Sequence, residues 1–186
     1  MERSDEALLE RVARRDDDAF DVLVARYRER AHRIAWSILR NAEDARDLSQ
    51  EAFIRLYRSA GSFRGSARVS TWFYRILVNL CLDHRRRRRW WDRFVDSGSG
   101  AGDTALLDRL PAAGVHPDDD LARGETMSRV WSAVDRLSSH QRAAVVLQLE
   151  GLPTSEIAEA LGCSEATVRV HLHRALAALR KSLRET

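Results

Sequence analysis

The sequence predicts an all-α protein made of two small helical domains joined by a flexible acidic linker. On either side of a central gap, apolar residues recur at intervals of three and four, and no stretch shows the alternation of a half-buried strand. Charge is also sorted along the chain. Arg64 to Arg93 holds nine arginines against Asp83 and Asp92, a net of +7, whereas Asp96 to Glu125 holds seven acids against Arg109 and Arg123, a net of −5. That acidic stretch contains five of the nine glycines and two of the three prolines, too little apolar surface to order itself. It reads as a linker, partly disordered when free, over residues 96–125, between domains at 1–95 and 126–186.

In chain order, Phe20, Leu23, Val24, Tyr27, Ala31, Ile34 and Ile38 form an amphipathic helix entered through Asp16–Asp18. Ala45, Leu48, Ala52 and Leu56 form a second stripe behind Glu43 and Asp44, acids that suit a helix N-terminus. The next helix, Ser70 to Arg89, is apolar nearly all the way round. Val69, Phe73, Ile76, Leu77 and Leu80 form one side, widened by Tyr74, Val78 and Leu82. The exception is a narrow polar stripe at spacing four, Thr71, Arg75, Asn79 and Asp83, bordered by Trp72 and Arg86 and followed by the arginine run Arg85–Arg89. Beyond the linker, Met127, Val130, Val134 and Leu137 give a further stripe, and Ser138 with Gln141 spells a capping box opening a helix through Val145 and Leu149.

The segment Leu152 to Lys181 has the layout of a helix-turn-helix. A short helix carrying Ile157, Ala158 and Leu161 ends at Gly162, and Ser164 can cap the next one. That helix sets Val168, Leu172, Ala175, Leu179 and Leu183 on its inner side. Thr167, Val170, His173, Arg174 and Lys181 lie outward, with Arg169 and His171 on the flanks. Small and basic outward residues suit reading of the major groove, where arginine can bond guanine bidentately. An ordinary hairpin with a solvated basic face is the bland alternative; the glycine turn, the cap and the basic face together favour DNA. The stripe on the preceding domain fits the same partner, since arginine can hold phosphate while an aromatic ring stacks on a base. For Trp72 alone, a place at the rim of the core is the simpler reading.

The remaining composition excludes other classes. At 186 residues with 44% hydrophobic content the chain is long enough for two packed units. Its 30 arginines against the single Lys181 read as the mark of a GC-rich genome. Cys81 and Cys163 make no metal-ligand spacing, and His171 and His173 diverge on a helix, so no metal is expected. The charged start MERSDEALLERVARR is no signal peptide, and no apolar run reaches membrane length, so a cytoplasmic protein is expected. Nor does the sequence contain a Gly-rich phosphate loop, an HExxH or a nucleophile–base arrangement. No enzyme activity, cofactor or small-molecule substrate is expected.

Phe63–Arg87, FRGSARVSTWFYRILVNLCLDHRRR, resembles the segment with which extracytoplasmic-function (group 4) sigma factors melt and read the −10 promoter element. Glu43–Tyr57 resembles the helix with which they grip the clamp helices of the RNA polymerase β′ subunit, and Leu137–Leu176 resembles their −35-reading domain. The resemblance implies a sigma factor that binds core polymerase, through the β′ clamp helices and the β flap, and directs promoter-specific initiation. It places Asp47, Gln50 and Glu51 on the clamp. Thr71, Trp72, Arg75, Asn79, Arg85 and Arg86 fall in the −10 and melting segment, and Thr167, Arg169, Val170, His171, His173, Arg174 and Lys181 on the −35 helix. It also implies an anti-sigma partner and a linker threaded through the polymerase cleft. Ser49, Pro153 and the Val170–His171 pair depart from the usual pattern and leave the promoter sequence open. The alternative is a helix-turn-helix repressor or activator acting alone, which leaves the acidic helix and the aromatic–arginine helix without a task.

Overall fold

The computed structural model describes residues 3–98, 131–134 and 136–184, and every regular element among them is helical. The N-terminal unit consists of α1 (Asp5–Ala13), α2 (Asp17–Leu39), α3 (Ala42–Ser59), a 3₁₀ turn at Ala60–Ser62, and α4 (Val69–Gly98). The C-terminal unit follows with a helical stretch at 131–134, then α5 (Ser139–Leu149), α6 (Thr154–Leu161) and α7 (Glu165–Arg184). Most of the expected linker, together with Met127 and Val130, lies outside the described residues, as does the side chain of Leu183.

Local chemistry sets the boundaries. Asp16 caps α2 by accepting from Ala19 N, and Asn41 caps α3 by accepting from Asp44 N. Ser138 and Gln141 form the full capping box of α5. Gly162 closes α6 in the left-handed conformation at φ 64°, and Ser164 accepts from Thr167 N at 3.2 Å to open α7. Pro153 stands at the N-cap of α6 with no side-chain cap bond.

Two elements differ from expectation. The charged N-terminus forms α1, capped by Ser4, because Leu8, Leu9 and Val12 supply a buried stripe among the acids and arginines. Helix α4 also outruns the expected end at Arg89 and continues to Gly98, into the stretch assigned to the linker.

The N-terminal core is aromatic at its centre. Phe73 of α4 lies 4.7 Å from Phe53 and 5.6 Å from Tyr27, centroid to centroid, and Tyr27 meets Tyr74 at 6.0 Å. The two units are not separate bodies. Buried apolar side chains from Leu8 to Val168 form one contiguous cluster, in which α4 packs on α6 and α2 on α5. This explains why α4 is apolar around most of its circumference: its own unit covers one side and the C-terminal unit another.

Candidate functional site

Three surfaces gather the residues singled out in the sequence. On α3, Ala45, Ser49, Ala52, Phe53 and Leu56 face the core. Ser49 is accommodated there because its hydroxyl donates to Ala45 O at 2.6 Å within the helix. Asp47 and Gln50 are thereby turned outward and exposed, while Glu51 is half-buried and pairs with Arg55 at 2.8 Å. The result is a short acidic face on a rigid helix.

On α4, Arg75 and Asn79 are exposed, as expected of the polar stripe. Trp72 is half-buried and packs on Phe63, with centroids 5.2 Å apart, so it is both a rim residue of the core and a neighbour of the stripe. Thr71 departs from the expectation of an exposed stripe. It is fully buried, because its Oγ1 donates to Glu156 Oε2 of α6 at 2.6 Å.

The arginine run divides by task. Arg85 donates to Ile38 O at 2.7 Å and so satisfies a carbonyl at the end of α2, where a cation also complements the helix dipole. Arg88 lies 3.6 Å from Asp44, and His84 Nε2 lies 3.2 Å from the same carboxylate, which joins α4 to the start of α3. Arg86 reaches Asp83 at 3.1 Å and remains largely exposed. Just beyond, Trp90 and Trp91 form an edge-to-face pair at 5.5 Å with both indoles exposed.

On α7, Val168 and Ala175 are buried, Leu172 and Leu179 half-buried, and Arg169, Val170, His173, Arg174 and Lys181 exposed. Arg169 pairs with Glu165 at 2.8 Å. Thr167 and His171 are half-buried: the Thr167 hydroxyl sits 2.9 Å from that of Ser164, and the His171 ring stacks on His140 at 6.0 Å. Burial, aided by His140 and Arg174, lowers the His171 pKa, so the ring is neutral near pH 7. Val170 and Leu176 add exposed apolar surface to this basic face, a combination that suits base methyl groups beside phosphates.

Several groups at the seam between the units went unremarked in the sequence. Glu150, following α5, is held by Arg30 Nε at 2.7 Å and by Arg33 Nε at 3.3 Å, and its own carbonyl accepts from Arg30. Burial opposes ionisation of Glu150, but hydrogen bonds from Arg33 and Arg30 outweigh it and hold the carboxyl below its ordinary value. Arg142, almost fully buried, reaches Ile38 O at 3.3 Å. Arg40, in the left-handed conformation at the end of α2, lays its guanidinium 4.0 Å from the Trp36 ring and 4.5 Å from that of Trp131. The local signal of this seam was the apolar character of α4 around most of its circumference.

Comparison with known proteins gives these surfaces a family. Residues 23–91 match the family model for Sigma-70 region 2, and residues 127–179 match that for Sigma-70, region 4. The chain is 40% identical over 184 residues to the ECF RNA polymerase sigma factor SigM of Mycobacterium tuberculosis, across 98% of this chain and 86% of the relative. The chain is an extracytoplasmic-function sigma factor. It is also 32% identical to SigW of Bacillus subtilis over the full length of both, and 36% identical to the RNA polymerase sigma-H factor of Pseudomonas aeruginosa, over 98% and 95% of the two chains. The fold of this sigma factor is shared with CnrH, solved in complex with the cytosolic domain of CnrY, at TM-score 0.69 and 23% identity over 98% and 99% of the chains. It is shared as well with RpoE of Bartonella quintana, solved with the anti-sigma factor NepR, at TM-score 0.68 and 21% identity over 89% and 96%. As a sigma factor it directs RNA polymerase in transcription initiation. A helix-turn-helix regulator acting alone is not favoured, since region 2 is matched as well as region 4. Among the described residues no helix is long and apolar enough to cross a membrane.

Proposed function

We propose that the sigma factor divides its work among the three surfaces. Asp47, Gln50 and Glu51 on α3 bind the β′ clamp helices of core polymerase. Trp72, Arg75 and Asn79 on α4, with Arg86, act on the −10 element as it opens, while Thr71 and Arg85 hold the fold beside them. Thr167, Arg169, Val170, His171, His173, Arg174 and Lys181 on α7 read the −35 element, while the C-terminal unit meets the β flap. The observation that carries this reading is the exposed Arg75–Asn79 stripe on a helix whose other sides are sealed in the core. A helix built only for packing has no use for that stripe, and a cation beside an amide suits phosphate and an unpaired base.

The protein lends specificity to an enzyme and has no catalytic step of its own. It works in the cytoplasm, where polymerase and promoter are. An anti-sigma factor is a further partner; the structural relatives solved with NepR and with the cytosolic domain of CnrY support this. Multiple-round transcription with purified core polymerase tests the reading. The chain should start transcripts at a promoter that core alone ignores. Core activity unchanged on every promoter from a genomic library would overturn it.

A further inference from the structure

The exposed stripe of α4 does not end at Asn79. Trp90 follows 18 residues after Trp72, five full turns of an α-helix, so it returns to the side that carries Arg75 and Asn79. Arg86 and Arg87, four and three residues before Trp90, are its neighbours on the helix surface. All three are exposed, Arg86 even while paired with Asp83. Trp90 is 49% exposed and Trp91 beside it 62%. Arg85 and Arg88 point the other way, to Ile38 O and to Asp44. The run is thus split, with two cations anchoring the helix and two flanking an indole. Edge-to-face packing at 5.5 Å sets the two tryptophan rings against each other. A helix end meant only for water gains nothing from two exposed indoles.

We infer that Arg86, Arg87 and Trp90 form a second DNA contact on α4, which holds the sugar–phosphate backbone of paired DNA next to the opened −10 element. Its placement beside that element rests on the proposed role of Arg75 and Asn79; the contact with DNA does not. Guanidinium groups suit phosphates, and an indole N–H can donate to a phosphate while the ring covers the adjoining sugar. Charge density favours the duplex over an unpaired strand. Around Asn79 the stripe offers the single cation Arg75, whereas Arg86 and Arg87 stand side by side. Paired DNA carries one charge per roughly 1.7 Å of axis, twice the density of one strand. Trp90 also lies about 16 Å along the helix from Asn79, the length of four to five stacked base pairs, too far to serve the same unpaired base.

The test uses the full chain assembled with core polymerase. Its probe is a fork, a duplex ending in a single-stranded tail, selected from a random pool by the parent complex, with the tail alone as control. Trp90→p-benzoylphenylalanine, irradiated in the complex, should crosslink to the duplex part of the fork. Crosslinks to polymerase subunits alone, or confined to the tail, would overturn the contact. Trp90→Ala should weaken fork binding about tenfold, the worth of one hydrogen bond to a charged group, and leave binding of the tail unchanged. Undiminished fork binding, or an equal loss on fork and tail, would count against it. Arg86→Gln/Arg87→Gln should lower the slope of log affinity against log salt by about 1.8, as expected for two lost phosphate contacts, and an unchanged slope would contradict it. Helical circular dichroism and affinity for core polymerase should match the parent's in both variants, which separates a lost contact from a damaged fold. Strand opening by Asn79→Ala is read separately with permanganate, so failure of the −10 reading and failure of this contact are distinguishable.

Discussion

At the scale of single residues, exposure separates groups that act from groups that hold the fold. Asp47 and Gln50 lie off the buried stripe of α3. Replacing either with alanine should change stability by no more than about 0.5 kcal/mol. The same change should weaken binding to core polymerase in a titration; unchanged affinity would remove them from the interface. Arg174, exposed on α7, is suited to a bidentate guanine contact, so Arg174→Ala should cost roughly 1–3 kcal/mol and relax preference at one base pair. Selection from a randomised upstream element separates that outcome from the uniform weakening expected of a phosphate contact. Cys81 is buried, and desolvation pushes its thiol up to about 12. Alkylation should therefore reach half-buried Cys163 first and Cys81 only on unfolding, which mass spectrometry over time would show.

Among the helices, stability turns on a few capping positions. Gly162 adopts φ 64°, and a Cβ built there meets nothing within 4 Å. Gly162→Ala should therefore cost only the left-handed strain, roughly 1–2 kcal/mol, visible as a lower melting temperature of the C-terminal unit. A neutral result would show that the turn relaxes to another conformation. These same elements were the legible part of the sequence. The caps at Asp16, Ser138 and Ser164, the glycine at 162 and the stripes of α2 and α3 are local signals, each readable within a few residues. The first helix carries little local signal, because its three buried apolar residues, Leu8, Leu9 and Val12, sit among so many charges. Thr71 leaves the exposed stripe because its burial depends on Glu156, which lies 85 positions away and belongs to another unit. No periodicity carries that information. Arg85 resembles its neighbours in the run, and only the fold sets it against the end of α2.

Over the whole molecule, the seam between the units should respond to pH. Glu150 faces Arg30 and Arg33 on α2 and Tyr74 on α4, and its pKa lies below the ordinary value of 4.5. A depressed carboxyl contributes docking strength that is fully present above its ordinary pKa and is lost as pH falls through the docked value. Scattering across an acid titration should show the units separating before helical signal is lost; simultaneous loss would mean that Glu150 adds little. The central claim, however, is that α4 acts on opened DNA while α7 acts on duplex. Unpairing and extruding a base costs a few kcal/mol, more than a small domain with few contacts supplies, so polymerase is required and the free protein should not open a promoter. Within the polymerase complex, Asn79→Ala and Trp72→Ala should leave initial promoter binding in a gel shift nearly intact. A thermal melt must accompany Trp72→Ala, since that ring also packs on Phe63. Permanganate reactivity of thymines near the start site then tests the claim most directly. The account predicts strong reactivity with the parent and markedly less with either variant; reactivity equal to the parent's in both would reduce the stripe on α4 to a solvated edge and contradict it.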